Sequence, residues 1–242
     1  MSKLRPGRFW LVTLAAVAAL AVTLALGAWQ LGRAHEKLAL QASMEERKAL
    51  PSVGEQALLD ARPSGDSRYR PVVLRGTWLA RHTVFLDNRQ MNGKTGFYVV
   101  TPLRLEGSGR AVLVERGWAQ RNFVNREQLP PIDTPPGIVQ VRGRMAPPPA
   151  KLYEFDGAPS GPIRQNLDLA QWRAETGLPL LEVGVQQTGE TSDGLLRDWP
   201  DAAGGAGKNY GYAFQWWALS ALIAILYVWF QFIAPRRKAR HA

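Results

Sequence analysis

The sequence predicts a membrane α plus β protein, with two transmembrane helices, one N-terminal and one C-terminal. They flank a mainly antiparallel, barrel-like extracytoplasmic β domain that carries one short helix. Three observations predict this. Two long apolar runs, Phe9 to Leu31 and Tyr212 to Ile233, contain no Asp, Glu, Lys or Arg. Basic residues unaccompanied by acids lie outside both runs. The roughly 180 residues between them break into short Val-, Leu- and aromatic-rich segments punctuated by Gly, Asn and Pro, the pattern of short strands and turns.

A helix rises about 1.5 Å per residue, so each run covers about 33–35 Å, enough for a hydrocarbon core of about 30 Å. Backbone amides in lipid must be satisfied within the segment, so both runs are expected to be helical. A rival reading makes the first run a cleaved signal peptide, with Ala25-Leu26-Gly27 as the small-residue site. The apolar region of such peptides is about 7–15 residues, shorter than this run, which favours a retained anchor. Lys3, Arg5 and Arg8 precede the first run, and Arg236, Arg237, Lys238 and Arg240 follow the second. Short basic segments stay cytoplasmic, so both termini are expected inside and the centre outside. The expected organisation is a basic tail (1–8), helix (9–31), stalk helix and loop (32–59), β domain (60–199), Gly-rich linker (200–211), helix (212–233) and basic tail (234–242).

Aromatic residues agree with two interfacial belts, Trp10 and Trp29 on the first helix and Tyr210, Tyr212, Trp216, Trp217, Tyr227, Trp229 and Phe232 on the second. Ala18, Ala21, Ala25 and Ala28 form a small stripe on the first helix, and Ala218, Ala221 and Ala224 supply small positions on the second; small faces let helices approach closely in lipid. Gln30 and Gln215, each beside a Trp, either bond across the pair or are wetted at the interface. Neither run holds a charge, which argues against an ion or proton pathway.

Seven of the 30 basic residues sit in the two tails, leaving 23 against 20 acidic elsewhere. The net charge of +10 is therefore mostly a topology signal, and nucleic-acid binding is set aside. The chain has no cysteine, which excludes disulfides, thiolate metal sites and a Cys nucleophile.

Between the runs, Arg33 to Leu50 continues the first helix outward as a stalk that Pro51 stops, and a loop with Pro63 follows. Arg70 to Leu79, Thr83 to Leu86, Phe97 to Leu105 and Arg110 to Val114 read as strands, with Asn92-Gly93 and Gly107-Ser108-Gly109 as hairpin turns. Gly137 to Met145 is a fifth strand between proline clusters. Asp168 caps a short helix to Thr176, with Gln171 as its capping-box partner and Gly177 and Pro179 ending it. Leu180 to Gln187 is the last strand, and Pro200 to Gly211, with Gly204, Gly205 and Gly207, is a flexible lead into the second apolar run. Short strands with one interrupting helix suggest a small closed or half-closed barrel.

Catalytic motifs are sparse. His35, His82 and His241 have no metal-ligand spacing. Gly93-Lys94-Thr95 ends like a phosphate-binding loop, but Asn88 stands where its first glycine is required, and a strand follows. Ser108 lacks a strand-to-helix elbow. Lone acids such as Asp87, Glu115 and Asp156 are ordinary near strand ends. No enzyme class stands out. Asp87-Asn88-Arg89, Gly93 and Gly96, Thr101-Pro102-Leu103 and Arg116-Gly117-Trp118 recur at expected strand ends. Each has an adequate structural reading; Arg89, Arg116 and Trp118 at neighbouring rims equally suit a partner-binding surface, with Gln30 and Gln215 on the helices.

These strings resemble the bacterial branch of the Surfeit locus protein one family, membrane assembly factors for haem–copper cytochrome oxidase. Gly27-Ala28-Trp29-Gln30-Leu31-Gly32-Arg33 is similar to the exit of that family's first helix, and Arg70-Pro71-Val72 through Gly76 to its first strand. Asp87-Asn88-Arg89 through Gly96, and Thr101-Pro102-Leu103, resemble its hairpin. Val112-Leu113-Val114-Glu115-Arg116-Gly117-Trp118 resembles its V-L-V-N-R-G-W string, and Tyr212-Ala213-Phe214-Gln215-Trp216-Trp217 its second-helix entry. The resemblance implies a two-pass protein of the bacterial cell inner membrane with a periplasmic β domain. It implies help in inserting haem a into, or stabilising, oxidase subunit I, with that subunit and haem a synthase as partners besides the lipid bilayer. A haem a carrier, or an envelope β domain binding an amphiphile, are the alternatives. No resident cofactor is assigned; haem a is the transient one implied. In some members a His just before the second helix is taken to bind that haem, and the matching position here is Asn209, which is not an iron ligand. Stacking on Tyr210, Tyr212 or Trp216 is the remaining contact.

Overall fold

The computed structural model describes residues 6–62, 67–125, 127–149, 152, 161–190, 193–200 and 205–240. Lys3, Arg5, Pro63, Asp156, Gly204 and His241 lie outside these. The chain divides into a helical unit (up to Ala42 and from Ala202) and a β unit (Ser43–Asp201).

In the helical unit, α1 (Pro6–Lys48) is one uninterrupted helix, so the apolar run and the stalk are continuous. The second helix starts earlier than expected. α4 (Ala206–Val228) follows Gly205, whose φ of 96° only glycine adopts readily, so Ala206 to Gly211 are helix and not linker. It passes through a π-helical turn, Trp229–Ile233, into α5 (Ala234–Arg240). Both helices are long and apolar enough to cross a membrane.

The two helices run antiparallel along a seam spaced three and four residues apart, the knobs-into-holes spacing of a left-handed pair. On α1 the seam is Thr13, Ala16, Leu20, Thr23, Gly27, Gln30, Ala34 and Lys37, every one at least partly buried. On α4 it is Ala206, Asn209, Ala213, Trp216, Ser220, Ile223 and Tyr227. Ala18, Ala21, Ala25 and Ala28, expected to be the packing stripe, are exposed on the far side of α1. In lipid both faces of a helix are apolar, so hydropathy does not say which face is inward.

The β unit closes into a five-stranded barrel. Its strands are β1 (Pro71–Trp78), β3 (Lys94–Leu105), β4 (Ala111–Gln120), β5 (Ile138–Ala146) and β7 (Leu180–Gln187), in ring order β1-β5-β7-β4-β3 and back to β1. All pairs are antiparallel except β4 with β7. β2 (Val84–Met91) lies along the first half of β3, and β6 (Ile163–Arg164) pairs with β2 in parallel. Asn92 and Gly93, both at positive φ, make the expected two-residue turn between β2 and β3. α2 (Glu55–Leu59) brings Leu58 to the barrel core, and the Glu55 carboxylate accepts from the Gly107 and Ser108 amides, tying down the second hairpin.

Every residue of β4 from Ala111 to Ala119 is buried because both of its faces are covered. Val112 and Val114 point into the barrel with Leu74, Leu103, Val141 and Val183. Ala111 and Leu113 pack outward under Trp172 of α3 (Leu169–Thr176). The Asp168 carboxylate caps α3 through the Ala170 and Gln171 amides, and Gly177 ends it in the left-handed conformation, both as expected.

Two strands are longer than their sequence alternation implies. β2 carries a bulge between Leu86 and Arg89, with Asn88 at φ 58°. β4 carries one opposite Val99 and Val100, where Arg116 is the extra residue. A bulge breaks the period of two, so Asp87-Asn88-Arg89 and Arg116-Gly117-Trp118 lie inside strands and not at strand ends.

Candidate functional site

Arg89, Arg116 and Trp118 are all buried, so the expected partner surface at the barrel rim is not formed by them. Being the bulge residue turns Arg116 inward. Its guanidinium stands 4.7 Å from the Trp78 ring centre and donates to Thr134 Oγ1 (2.7 Å), the Asp133 carbonyl and Asp193 Oδ2 (3.2 Å). Arg197 grips the same Asp193 at 2.8 and 2.9 Å and donates to the Arg116 carbonyl. Arg116 thereby pins two long loops to the barrel wall.

Trp118 explains a second string. Its indole N–H donates to the Arg89 carbonyl at 2.8 Å, and its ring packs closely against Gly96. A Cβ at Gly96 would come within 2.6 Å of that ring and 2.2 Å of the Ala119 carbonyl, so only glycine fits. Arg89 in turn donates to the Gln165 carbonyl and lies 5.8 Å from the Tyr98 ring. Asp87 takes an ion pair from Arg121 at 3.2 Å. The strings expected to mark a docking rim are one interlocked structural unit.

Glu115 sits beside this lock, where the resembled string has Asn. It accepts from Gln186 Nε2 at 3.1 Å. Burial pushes its carboxyl up to about 7, against the opposing pull of the Gln186 hydrogen bond and the Arg89 and Arg144 guanidinium groups. Among the described residues of the β unit the most exposed apolar feature is the loop tip Phe123-Val124, with Val124 98% exposed. No sequence signal beyond two apolar residues in a polar loop marks it.

The helical unit holds a different polar arrangement. Asn209 Nδ2 donates to Gln30 Oε1 at 2.7 Å, and Lys37 Nζ donates to Asn209 Oδ1 at 2.8 Å. Both ends of the Asn209 amide are thus engaged by α1. Gln30 pairs with Asn209 and not with Gln215, which is exposed. Deeper in the seam, Ser220 Oγ donates to Thr23 Oγ1 (2.7 Å), and Thr13 shares a hydrogen bond with the Tyr227 hydroxyl (2.8 Å). Trp217 covers Gly27 so closely that a Cβ there would lie 2.2 Å from the indole nitrogen.

This arrangement does not fit a haem at position 209. The residue is an amide, not an imidazole, and its amide is committed to holding two helices together. Tyr210 and Tyr212 are two positions apart on one helix, about 200° around it, so they do not form one stacking platform with Trp216. Tyr210 instead meets the His35 ring edge-on at 6.4 Å. Among the described residues no group of three His, Cys, Asp or Glu is placed to hold a metal ion.

The match with known proteins runs across both units. The model of the SURF1 family matches residues 17–221. The SURF1-like protein of Rickettsia bellii is 27% identical over 212 residues, covering 84% of this chain and 83% of that one. The cytochrome oxidase assembly protein SHY1 of Saccharomyces cerevisiae is 31% identical over 41% of this chain, and Surfeit locus protein 1 of Homo sapiens 32% identical over 42%. The matched stretches span only 25% and 38% of those two proteins' own lengths. Covering the α1 seam from Leu20 on, the whole barrel and most of α4, the match makes this chain a member of the SURF1 family.

Proposed function

We propose that the chain is an assembly factor for haem–copper cytochrome oxidase in a bacterial inner membrane. It docks beside subunit I and stabilises it while haem a is inserted, in concert with the haem a synthase. The observation that carries this reading is the family match over residues 17–221, together with a yeast relative that is an oxidase assembly protein. Antiparallel pairing of α1 and α4 supports a two-pass arrangement with both termini on one side. The basic flanks, including Arg8, Arg236 and Arg237, favour the cytoplasm for that side, which leaves the β unit periplasmic.

The bare apolar face of α1 supports docking through the membrane, since small side chains there allow a third helix to approach closely. In the β unit the exposed Phe123-Val124 tip replaces the buried Arg89, Arg116 and Trp118 as the contact we propose. The chain acts without catalysis of its own. A carrier role for haem a would need an iron ligand that Asn209 does not supply, so holding the partner, not the cofactor, is the reading favoured.

Deleting the gene and recording reduced-minus-oxidised spectra of the membranes tests this. The haem a band of the oxidase is expected to fall, and to return with the wild-type gene but less fully with a Phe123→Ser, Val124→Ser variant. An unchanged haem a band overturns the reading.

A further inference from the structure

The seam of the helix pair ends in a cleft. After Ser220, Ile223 and Tyr227, the three-and-four spacing makes Phe230 the next knob. The π-helical turn Trp229–Ile233 places one extra residue in that stretch. Phe230 is consequently swung off the seam and 65% exposed, while Gln231 is partly buried in its place. The space this leaves, about 250 Å³, is lined by Arg8, Phe9 and Val12 of α1 and by Phe230 and Gln231. Single π-helical turns inside α-helices are frequent at functional sites.

The chemistry of the lining is divided. Phe9, Val12 and Phe230 are apolar, Gln231 offers an amide, and Arg8 offers a cation. No side-chain carboxylate is at hand to neutralise it. In the whole helical unit the only acidic residue is Glu36, which is about 42 Å along α1 from Arg8 and is paired with Arg33 at 2.7 Å. Arg237, at the same end, stands 5.0 Å from the Trp229 ring, so a second cation borders the region with no acid to match it. An anion from outside the chain completes this balance, and an apolar slot beside it calls for a hydrocarbon tail on that anion.

We propose that this cleft binds one anionic phospholipid, its phosphate held by Arg8 and the Gln231 amide and its acyl chain lying along Phe9, Val12 and Phe230. Basic pockets between membrane helices are suited to anionic head groups, and a cation near the surface strengthens such binding about five-fold. The lipid then fills the slot beside Gln231 and becomes part of how the two helices are joined at this end. This inference is independent of the oxidase reading, since it concerns only the helix pair in a bilayer.

Native mass spectrometry of the full chain in a non-ionic detergent tests it, with phosphatidylglycerol and phosphatidylcholine titrated in parallel. The wild type is expected to retain one phosphatidylglycerol in preference to phosphatidylcholine. Arg8→Gln is expected to weaken that retention about five-fold. Val12→Trp, which fills the slot and leaves every charge in place, is expected to abolish the preference while helix content by circular dichroism stays unchanged. Gln231→Leu gives a milder loss and serves as the readout should Val12→Trp lose helix content. Equal retention of the two lipids by the wild type overturns the proposal. So does a Val12→Trp variant that keeps both its helix content and the preference, since attraction to the basic ends as a whole would then suffice. Displacement of the lipid by millimolar inorganic phosphate also overturns it, as the tail would contribute nothing.

Discussion

In the helix pair, the hydrogen-bonding side chains Thr13, Thr23, Gln30 and Lys37 stand in the seam, and the exposed face of α1 is apolar, with Leu14, Val17, Val22 and Trp29 among its alanines. In the β unit, Arg89, Glu115, Arg116 and Arg197 are turned inward, and what they hold is the protein's own loops and strands. The contrast teaches where family strings can mislead. Arg116-Gly117-Trp118 and Asp87-Asn88-Arg89 are distinctive because a bulge, a buried guanidinium and a tryptophan lying on a glycine admit few substitutes. They report how the barrel is locked, not what it touches. The surface we propose for a partner is chemically plainer, an apolar helix face and a two-residue loop tip.

The sharpest way to break the contrast is at Arg116. Arg116→Ala leaves Asp193 with Arg197 alone, releases the Asp133-Thr134 loop and opens a space beside Trp78. Removing one partner from a buried ion pair costs about 3–5 kcal/mol when the other charge is left unpaired; Asp193 keeps Arg197, so chemical denaturation of the full chain in detergent is expected to show a loss toward the lower end of that range. An Arg116→Ala protein that unfolds like the wild type but fails to support the oxidase would restore a contact role.

Next in size is Glu115, where the barrel carries a cost instead of a lock. Its carboxyl titrates near 7 in the fold and near the ordinary carboxylate range when unfolded. Below that ordinary range both states are protonated and the residue is neutral in effect. As pH rises toward 7 the unfolded state ionises first, so stability falls, by about 3 kcal/mol once pH exceeds 7. Glu115→Gln is therefore expected to raise the unfolding midpoint at pH 8 and to leave it nearly unchanged at pH 4. Equal effects at both values would mean that folding does not raise this carboxyl above its ordinary range.

The smallest effect belongs to the helix seam. Hydrogen bonds between membrane helices average about 0.6 kcal/mol, because the separated helices also find partners. Ser220→Ala is expected to weaken helix association by about that much, and Asn209→Ala by more, since it severs both Gln30 and Lys37. Reconstituted energy-transfer pairs on α1 and α4 would read the order. Should Ser220→Ala prove the more damaging, the Gln30-Asn209-Lys37 clasp is not what fastens this end.

Much of the architecture was legible in the residues. Two charge-free runs of spanning length, the Asn92-Gly93 turn and the Asp168 to Gly177 helix all follow from local chemistry, and each is found. β2 and β4 were read short because their bulges break the alternation that marks a strand. The two-residue β6 and five-residue α2 are too brief to carry a period. The burial of Arg89, Arg116 and Trp118 was hidden for a physical reason: an arginine in a strand reads as exposed unless its buried partners, for Arg116 Asp193 and Trp78, are known from elsewhere in the chain. The inward face of α1 was hidden because alanines lie on its other side as well.

β7 has a consequence for how this molecule is made. It sits between β4 and β5, pairing with both, yet it is the last strand in the chain. Until residue 187 has been synthesised and delivered, neighbours completed some 40 and 70 residues earlier have open edges, and the ring has a gap. At about 5–20 residues per second that wait lasts seconds, during which the unfinished sheet is a template for wrong pairing. The barrel is a clasp closed by its final link, so a ribosome stalling just before Leu180 would release a chain whose first span is made and whose β unit cannot yet hold itself shut.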